Sequence, residues 1–274
     1  MIDAYADRWA LVTGASSGIG EAFARQLAAR GMHLVVAARR QDRLEKLAED
    51  LHTRHGTLTD ILSADLSDPE APARLLEEIR NRERRIEVLV NNAGFAVVGD
   101  LLSTDRRKVM EMLNVNVAAL TELTYGLLPD MKQRGHGAIV NVSSVAGFQP
   151  VAYMGAYAAT KAYVLHFSEA LWAEVRDAGV TVMALCPGVT RTEFFDVAGV
   201  TGWLKKQRSH SPDRVVRKAL KALEKKRQCV VPGFWNRMRS LFVRLASRKR
   251  VVRETLKYFR PRPPKGGKDT AESL

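Results

Sequence analysis

Short apolar runs alternate with helix-forming segments along most of this 274-residue chain, and this alternation constrains the fold more than any other feature. Several runs are continuous stretches of Val, Leu, Ile and Ala, which is typical of strands covered on both faces. Between them, leucines recur at helical spacing, as at Leu44, Leu47 and Leu51. The pattern predicts an α/β fold with a doubly wound parallel sheet. Strands are predicted at residues 9–13, 33–38, 58–63, 88–91, 138–143, 180–186 and 229–231.

The predicted domain organisation follows from where this alternation ends. Residues 1–232 have the length of one large domain and contain the whole alternation. Within them, segment 189–210 mixes aromatic residues with glycines, and we expect it to be a lid over a site. Ser211 and Pro212 are predicted to begin the helix that follows. Residues 233–260 are predicted to form one basic amphipathic helix, and residues 261–274 a disordered tail.

A glycine-rich turn directly follows the first predicted strand, where residues 13–21 read TGASSGIGE. Glycines let the backbone approach a pyrophosphate, and the next helix presents free N–H groups and a positive dipole at its start. The spacing of Gly14, Gly18 and Gly20 is G-x-x-x-G-x-G and differs from the G-x-G-x-x-G fingerprint. Its position in the α/β alternation nevertheless indicates a dinucleotide-binding turn.

The end of the second predicted strand bears on which dinucleotide binds. Enzymes that use NAD place an Asp or Glu there to bind the ribose 2′-hydroxyl. Here the strand ends in Arg39 and Arg40, which can pair with a 2′-phosphate. Arg40 is the more plausible of the two to face only solvent, and Asp42 fits better as the N-cap of the next helix. We therefore expect NADP(H) rather than NAD(H), with Arg39 as the contact.

A tyrosine and a lysine at i, i+4 spacing form the centre of a candidate proton-transfer site. Tyr157 and Lys161 share one face of a predicted helix. A phenol has a pKa near ~10, and a neighbouring ammonium is expected to lower the pKa of Tyr157 towards neutrality. Ser144 lies thirteen residues before Tyr157 at the end of a predicted strand, and Asn116 lies in a predicted apolar helix over residues 112–131.

Taken together and in this order, these motifs resemble those of the short-chain dehydrogenase/reductase family. The resemblance covers roughly residues 7–232 and includes Asn-Asn-Ala-Gly at 91–94 and Pro-Gly at 187–188. It implies a Rossmann-type fold and an enzyme acting on the CH–OH group of donors, which the arginines after the second predicted strand indicate to be NADP-dependent. It also implies a homo-oligomer, either a dimer or a tetramer.

The resemblance implies a catalytic tetrad of Asn116, Ser144, Tyr157 and Lys161. Tyrosine would be the general acid or base on the substrate oxygen, and serine would hold that oxygen. Lysine would tune the tyrosine and bind the nicotinamide ribose, while asparagine would fix a water in a proton relay. Spacing favours Asn116 over Asn114, and Ser143 is the less favoured serine.

The same resemblance implies a set of cofactor contacts. Among them, Asp65 would accept from the adenine amino group, Asn92 would lie near the adenosine ribose, and Thr192 would reach the carboxamide. Thr190 departs from the aliphatic residue that many relatives carry. The implied contacts are Gly14, Ser16, Ser17, Gly18, Ile19, Gly20, Arg39, Asp65, Leu66, Asn92, Ala93, Gly94, Tyr157, Lys161, Pro187, Gly188, Thr190 and Thr192.

The net charge of +13 is concentrated in the last quarter of the chain. Residues 200–274 carry 22 Lys and Arg against 5 Asp and Glu, whereas residues 1–199 carry 21 against 25. Two interpretations of the 233–260 helix stay open. Its stripe of Trp235, Met238, Leu241, Phe242 and Leu245 favours packing on the domain or a second subunit. Its charge favours contact with an anionic membrane.

Composition restricts the remaining classes of partner and compartment. The two cysteines, Cys186 and Cys229, do not make a disulfide framework, so we expect two core thiols and a reducing compartment. No signal peptide and no apolar run of about eighteen residues is visible. We therefore expect a cytoplasmic protein with peripheral membrane contact at most. No metal site is expected, and no motif indicates nucleic-acid binding.

The sequence thus predicts hydride transfer between NADP(H) and a hydrophobic carbonyl or secondary alcohol, with ketone reduction favoured. The alternatives are a non-catalytic NADP(H)-binding redox sensor and a membrane-associated scaffold with the same fold. The pocket candidates are Phe148, Tyr153, Phe194, Phe195 and Trp203.

Overall fold

Seven parallel strands form a single sheet in a computed structural model that describes residues 6–194, 198 and 209–259. The strand order is β3-β2-β1-β4-β5-β6-β7, which confirms the predicted doubly wound sheet. All seven predicted strands are present, with ends that differ by at most two residues. The strands are β1 (Trp9–Thr13), β2 (His33–Ala38), β3 (Thr59–Ser63), β4 (Ile86–Asn91), β5 (Gly137–Val142), β6 (Val180–Leu185) and β7 (Cys229–Val230).

Helices cover both faces of the sheet, which explains why its strands are continuous apolar runs. Helices α1, α2 and α7 bury side chains such as Phe23, Leu44 and Leu220 on one face. Helices α3, α5 and α6 bury side chains such as Ile79 and Leu123 on the other. The helices are α1 (Gly18–Ala28), α2 (Gln41–His55), α3 (Ala71–Asn81), α4 (Arg106–Leu113), α5 (Leu120–Arg134), α6 (Gly155–Val175), α7 (Pro212–Glu224), α8 (Phe234–Leu245) and α9 (Arg248–Phe259).

The strand order reverses between β1 and β4, and this reversal opens a crevice at the carboxyl ends of the strands. The turn after β1 and the turn after β4 are joined across it. Asn92 Nδ2 donates to the carbonyl oxygens of Thr13 at 2.9 Å and of Gly14 at 3.2 Å. The two predicted ligand-binding turns are therefore fixed to one another by the Asn92 carboxamide.

A π-helical turn, Asn114–Ala119, joins α4 and α5 into one continuous helical stretch. The apolar helix predicted over residues 112–131 lies inside this stretch. Asn116 lies within the π-helical turn. Such turns carry an additional residue inside a helix and are frequent at functional sites.

The segment predicted as a single helix over residues 233–260 is two helices, so that prediction is wrong. Helix α8 ends at Leu245, and Ala246 is extended with φ −82° and ψ 147°. Ser247 begins the next helix, because its hydroxyl accepts from the amide of Arg250 at 3.4 Å. The predicted start of α7 is confirmed, because the Ser211 hydroxyl caps this helix by accepting from the amide of Arg214 at 3.4 Å. The predicted tail at 261–274 lies outside the described residues.

The two cysteines are distant in sequence but close in the fold, because Cys186 directly follows β6 and Cys229 begins the neighbouring β7. The Sγ atoms of Cys186 and Cys229 are 3.8 Å apart, and both residues are free thiols. Cys186 is buried, as expected for a core thiol. In the described part of the chain, no helix is long and apolar enough to cross a membrane.

Candidate active site

A cavity of about 700 Å³ lies at the carboxyl ends of the strands. It brings together residues from the turns after β1, β2, β3, β4, β5 and β6, together with α6. Gly20 and Asn116 do not line it, although both were predicted as site residues. The predicted residues that do line it are Gly14, Ser16, Ser17, Gly18, Ile19, Arg39, Asp65, Leu66, Asn92, Ala93, Gly94, Ser144, Tyr157, Lys161, Pro187, Gly188, Thr190 and Thr192.

The turn after β1 has no room for side chains at its glycines. Gly18 has φ +62°, and a Cβ there would lie 2.7 Å from Thr192 Cγ2. A Cβ at Gly20 would lie 2.2 Å from the carbonyl oxygen of Gly14, so Gly20 packs α1 against the turn. The backbone amides at the start of α1 are thereby open to the cavity, where the helix dipole favours an anion. This cradle fits the pyrophosphate of a dinucleotide.

Arg40 is bound to this turn, so the expectation that it merely faces solvent is wrong. Its guanidinium donates to the hydroxyl of Ser16 at 3.1 Å and to that of Ser17 at 3.0 Å. Arg39 also lines the cavity but is exposed. Asp42 is not an N-cap, because α2 begins one residue earlier, at Gln41. Both arginines are thus placed to contact a phosphate.

Glu193 joins the cluster from the segment that follows β6, a contact that the sequence did not indicate. Its carboxylate accepts from Arg40 Nη1 and from Arg43 Nη1, each at 2.7 Å. Hydrogen bonds from Arg40 and Arg43 lower the pKa of this carboxyl. Glu193 and Arg40 are 153 residues apart, so only the fold brings them together.

The turns after β3 and β4 also line the cavity. Asp65 Oδ1 accepts from the amide and the hydroxyl of Ser67, at 3.0 Å and 2.8 Å. The neighbouring Leu66 is buried and lines the cavity. These contacts fix the loop at the position where adenine recognition was predicted.

Tyr157 and Lys161 are both buried on α6, at the other end of the cavity. Lys161 Nζ donates to the carbonyl oxygen of Val142 at 2.9 Å and lies 5.8 Å from the ring centroid of Tyr157. Burial lowers the pKa of Lys161 to about 8. Burial also raises the pKa of Tyr157 to about 12, although a hydrogen bond with Ser144 opposes this shift. The expectation that Lys161 lowers the pKa of Tyr157 is therefore wrong, because desolvation of the phenolate dominates.

The two adjacent serines have different positions. Ser144 lines the cavity, and its hydroxyl accepts from the amide of Ala146 at 3.1 Å. Ser143 is buried, and its hydroxyl donates to the carbonyl oxygen of Lys161 at 2.6 Å. Both serines line the cavity, but the Ser143 hydroxyl donates its proton to the backbone of α6, whereas the Ser144 hydroxyl keeps its donor for a molecule in the cavity.

Asn116 is held behind the cavity wall. Its Oδ1 accepts from the amide of Phe95 at 3.1 Å, and its Nδ2 donates to the carbonyl oxygen of Phe95 at 3.0 Å. The same Nδ2 donates to Thr160 Oγ1 at 3.1 Å, and Thr160 donates to the carbonyl oxygen of Tyr157 at 2.7 Å. Asn116 thus ties the turn after β4 to α6. Asn114 instead donates to the carbonyl oxygen of Ser67 at 3.0 Å.

Apolar side chains surround Tyr157 on the side away from the glycine turn. The ring of Phe194 lies 5.6 Å from that of Tyr157. Of the other predicted pocket residues, Phe148 and Tyr153 do not line the cavity, and Phe195 and Trp203 lie outside the described residues. The sequence missed most of this wall because it comes from three separate segments. Its members include Phe95, Val98, Val151, Met154, Phe194 and Ala198.

The segment after β6 lines the cavity next to the glycine turn. Thr190 Oγ1 donates to the carbonyl oxygen of Gly188 at 3.0 Å, and Thr190 pairs with His210 in a β-bridge. Thr192 Oγ1 accepts from the amide of Phe194 at 3.4 Å. The lid predicted over 189–210 is described only at residues 189–194, 198, 209 and 210.

The family model for short chain dehydrogenase matches residues 8–199. The human protein named inactive hydroxysteroid dehydrogenase-like protein 1 is 36% identical over 192 residues, covering 68% of this chain and 57% of that protein. Very-long-chain 3-oxoacyl-CoA reductase of Anas platyrhynchos is 34% identical over 200 residues, covering 69% of this chain and 62% of that protein. The chain thus spans less than two thirds of the length of these two curated relatives.

A solved structure described as a short-chain dehydrogenase from Sphingobium yanoikuyae in complex with NADPH is similar along most of its length. Its TM-score is 0.79 at 35% sequence identity, covering 87% of this chain and 94% of that chain. The likeness therefore extends beyond the segment that the family model matches. On these matches, and on a glycine turn and a Tyr-x-x-x-Lys pair that share one cavity, the chain belongs to the short-chain dehydrogenase family of oxidoreductases.

Proposed function

We propose that this protein transfers a hydride between NADP(H) and an apolar carbonyl or the matching secondary alcohol, with ketone reduction favoured. The observation that carries the proposal is the position of the Tyr157 phenol, buried beside Ser144 in the cavity that the glycine turn also lines. A pKa of about 12 keeps this phenol protonated at neutral pH. A protonated phenol suits the proton donor of a reduction.

The cofactor residues in this proposal are those that line the cradle. Backbone amides at Gly18 and Ile19 would meet the pyrophosphate, and Arg40 and Arg39 would pair with the 2′-phosphate. The similar solved structure in complex with NADPH supports the choice of NADP(H). When bound, the cofactor supplies or accepts the hydride.

The chain's own residues would then handle the substrate oxygen. The Ser144 hydroxyl holds this oxygen, and Tyr157 Oη gives it a proton as negative charge develops there. The buried Lys161 ammonium, when charged, would contact the nicotinamide ribose and restore the Tyr157 proton. Asn116 acts through Phe95 and Thr160 as a positioning residue, since both ends of its carboxamide are bonded away from the cavity. The water relay implied for Asn116 stays a prediction.

An apolar substrate is supported by the wall around Tyr157. Phe95, Val98, Met154 and Phe194 offer aliphatic and aromatic surface beside the phenol. Burying such surface against a hydrocarbon substrate is favourable, whereas a charged substrate would lose hydration there. One relative is named very-long-chain 3-oxoacyl-CoA reductase, and the substrate in that name carries a long acyl chain.

Assembly and location belong to the same proposal. We place the protein in the cytoplasm because its two cysteines, Cys186 and Cys229, are too few for a disulfide framework, which fits a reducing compartment. A homo-oligomer, dimer or tetramer, is supported by exposed Tyr125 and Tyr163 on α5 and α6. Light scattering of the purified full chain measures this assembly directly.

The test of the activity is NADPH consumption across a panel of ketones, acyl thioesters, steroids, quinones and aldehydes. Tyr157→Phe is expected to lower turnover by about a hundredfold or more while leaving NADPH binding intact. Tyr153→Phe is the matched control, since Tyr153 lies nearby but does not line the cavity. Near-normal turnover of Tyr157→Phe would refute the mechanism.

The rival function is an NADP(H)-binding redox sensor without turnover, and one observation favours it: the human relative is named inactive. The two functions differ in one measurement. Tight NADPH binding with no oxidation on the whole panel would support the sensor, whereas oxidation that requires Tyr157 excludes it. A membrane-associated scaffold would bind vesicles without binding NADPH and without oxidising it.

A further inference from the structure

Helices α8 and α9 carry a row of large apolar side chains that point away from the domain. Leu245 is 85% exposed, Trp235 64% and Phe242 60%. The stripe predicted to pack on the domain is therefore mostly exposed in the folded chain. We call this surface the C-terminal face, and its apolar members are Phe234, Trp235, Leu241, Phe242, Leu245, Val252 and Leu256.

Smaller side chains hold the two helices to the domain. Ser240 is the buried residue of α8, and Asn236 Nδ2 donates to the carbonyl oxygen of Pro232 at 2.9 Å. In α9, Val251 and Thr255 are buried, and Thr255 Oγ1 accepts from the amide of Ala152 at 3.3 Å. The larger apolar side chains thus face outward, which is the reverse of an ordinary surface helix. An exposed apolar patch of this kind marks an interaction site.

The positive charge of the C-terminal face indicates which class of partner can bind to it. Residues 234–259 contain eight Lys and Arg but only one acidic residue, Glu254. Two copies of this face would repel each other, so a second subunit is disfavoured here. Nucleic acid would match the charge but would leave the aliphatic Leu241 and Leu245 without a favourable contact. A bilayer with anionic headgroups matches both the charge and the hydrocarbon.

The C-terminal face also adjoins the substrate end of the cavity. A Cβ at Gly188 would lie 2.4 Å from Asn236 Nδ2, so α8 packs directly on a cavity-lining residue. Thr255 of α9 bonds to Ala152, next to the cavity-lining Val151. Docking of these helices would therefore bring the apolar wall of the site close to the lipid.

We propose that the C-terminal face docks on an anionic membrane and that the cavity takes its apolar carbonyl substrate from that membrane. The second half of this statement rests on the proposed function, whereas the first does not. Vesicle binding is therefore measured without substrate or cofactor, so that either half can fail alone.

The first experiment is co-sedimentation of the full chain with vesicles of phosphatidylcholine, alone or containing about one third phosphatidylglycerol. We expect binding to the anionic vesicles only, weakened by salt and accompanied by a blue shift of Trp235 fluorescence. Trp235→Phe should bind but lose the shift. The double variant Phe242→Glu/Leu245→Glu should bind at least about tenfold more weakly. Its NADPH affinity and circular dichroism should match those of the unsubstituted chain.

Three results would overturn docking. One is no binding to anionic vesicles at low salt. A second is binding that the double glutamate variant retains, which would reduce the interaction to surface charge. The third is a change of oligomeric state in that variant without vesicles, which would assign the face to a second copy of the chain.

The second experiment tests substrate uptake with a long-chain methyl ketone dissolved in the vesicles. We expect the apparent KM to be several-fold lower with anionic than with neutral vesicles, and this difference to vanish in the double variant. Equal KM values on both vesicles, with docking intact, would overturn the uptake. Tyr157→Phe should still bind vesicles, which separates this proposal from failure of the catalytic one.

Discussion

The Glu193 carboxylate accepts a 2.7 Å hydrogen bond from Arg40, the arginine that also donates to both serines of the glycine turn. Glu193 follows Thr192, whose side chain lies against Gly18. The ion pair therefore connects the segment after β6 to the phosphate end of the cradle. Because Arg40 and Arg43 share this one carboxylate, their charge is partly neutralised where a 2′-phosphate would bind.

Glu193→Gln is expected to tighten NADPH binding by about two- to fivefold, because an exposed ion pair of this kind contributes up to about 1 kcal/mol. NADH affinity should change little, since NADH lacks the 2′-phosphate. Dissociation constants from calorimetry measure both. Glu111→Gln is the matched control, because Glu111 lines the cavity but pairs with Arg107. Weaker NADPH binding in Glu193→Gln would show that the carboxylate supports the cofactor instead.

Gly18→Ala should abolish NADPH binding, whereas Gly56→Ala should not. Both glycines have nearly the same positive φ, +62° and +65°, so alanine costs each roughly 1–2 kcal/mol of backbone strain. A Cβ at Gly18 would in addition collide with Thr192, while a Cβ at Gly56 meets nothing within 4 Å. Urea unfolding and NADPH titration separate the two effects. Equal loss of NADPH binding in both variants would contradict the assignment of the turn.

NADPH affinity should fall as pH rises through about 8, the pKa to which burial lowers Lys161. Below that pH the ammonium is charged and can bind the ribose; above it the neutral amine predominates, and affinity should drop by up to about tenfold near pH 9. The pH dependence of the dissociation constant measures this. Lys161→Arg keeps its charge throughout, so its profile should be flat. An unchanged profile in that variant would assign the titration to another group.

Thr160→Val should destabilise the protein by ~1–3 kcal/mol, because it leaves an N–H of the buried Asn116 carboxamide without its acceptor. Valine has nearly the shape of threonine, so packing is conserved. Thr160→Ser retains the hydroxyl and should cost less. Urea denaturation gives the free energies of unfolding. Equal losses in the two variants would show that the methyl group, and not the hydrogen bond, matters.

The strands and most of the cradle could be predicted because they depend on local sequence. Buried parallel strands need continuous apolar runs, and the turn after β1 needs glycines at positions that the sequence displays. The start of α7 could likewise be predicted, because Ser211 is a side chain that caps helices and it directly precedes Pro212. The alternation alone predicted the parallel, doubly wound class of sheet, although not the order of its strands.

What the sequence could not predict depends on contacts between distant segments. Arg40 meets Glu193 only because the turns after β2 and β6 share one crevice. The pKa of Tyr157 depends on how completely α6 is covered, and the spacing of Tyr157 and Lys161 does not report this. The break between α8 and α9 had a local signal in Ser247, but the basic amphipathic pattern continues through it and concealed it.

The π-helical turn at Asn114–Ala119 makes the number of residues between β4 and β5 part of the site. It holds one residue more than an α-helical turn would. Were the same number of residues wound as a regular α-helix, the parts on either side would be rotated by about 100° relative to each other. Asn116 could then not face Phe95 while Leu123 stayed in the core. A substitution in this turn would change side-chain contacts, whereas a residue added to or removed from α4 or α5 would rotate one part of the stretch against the other.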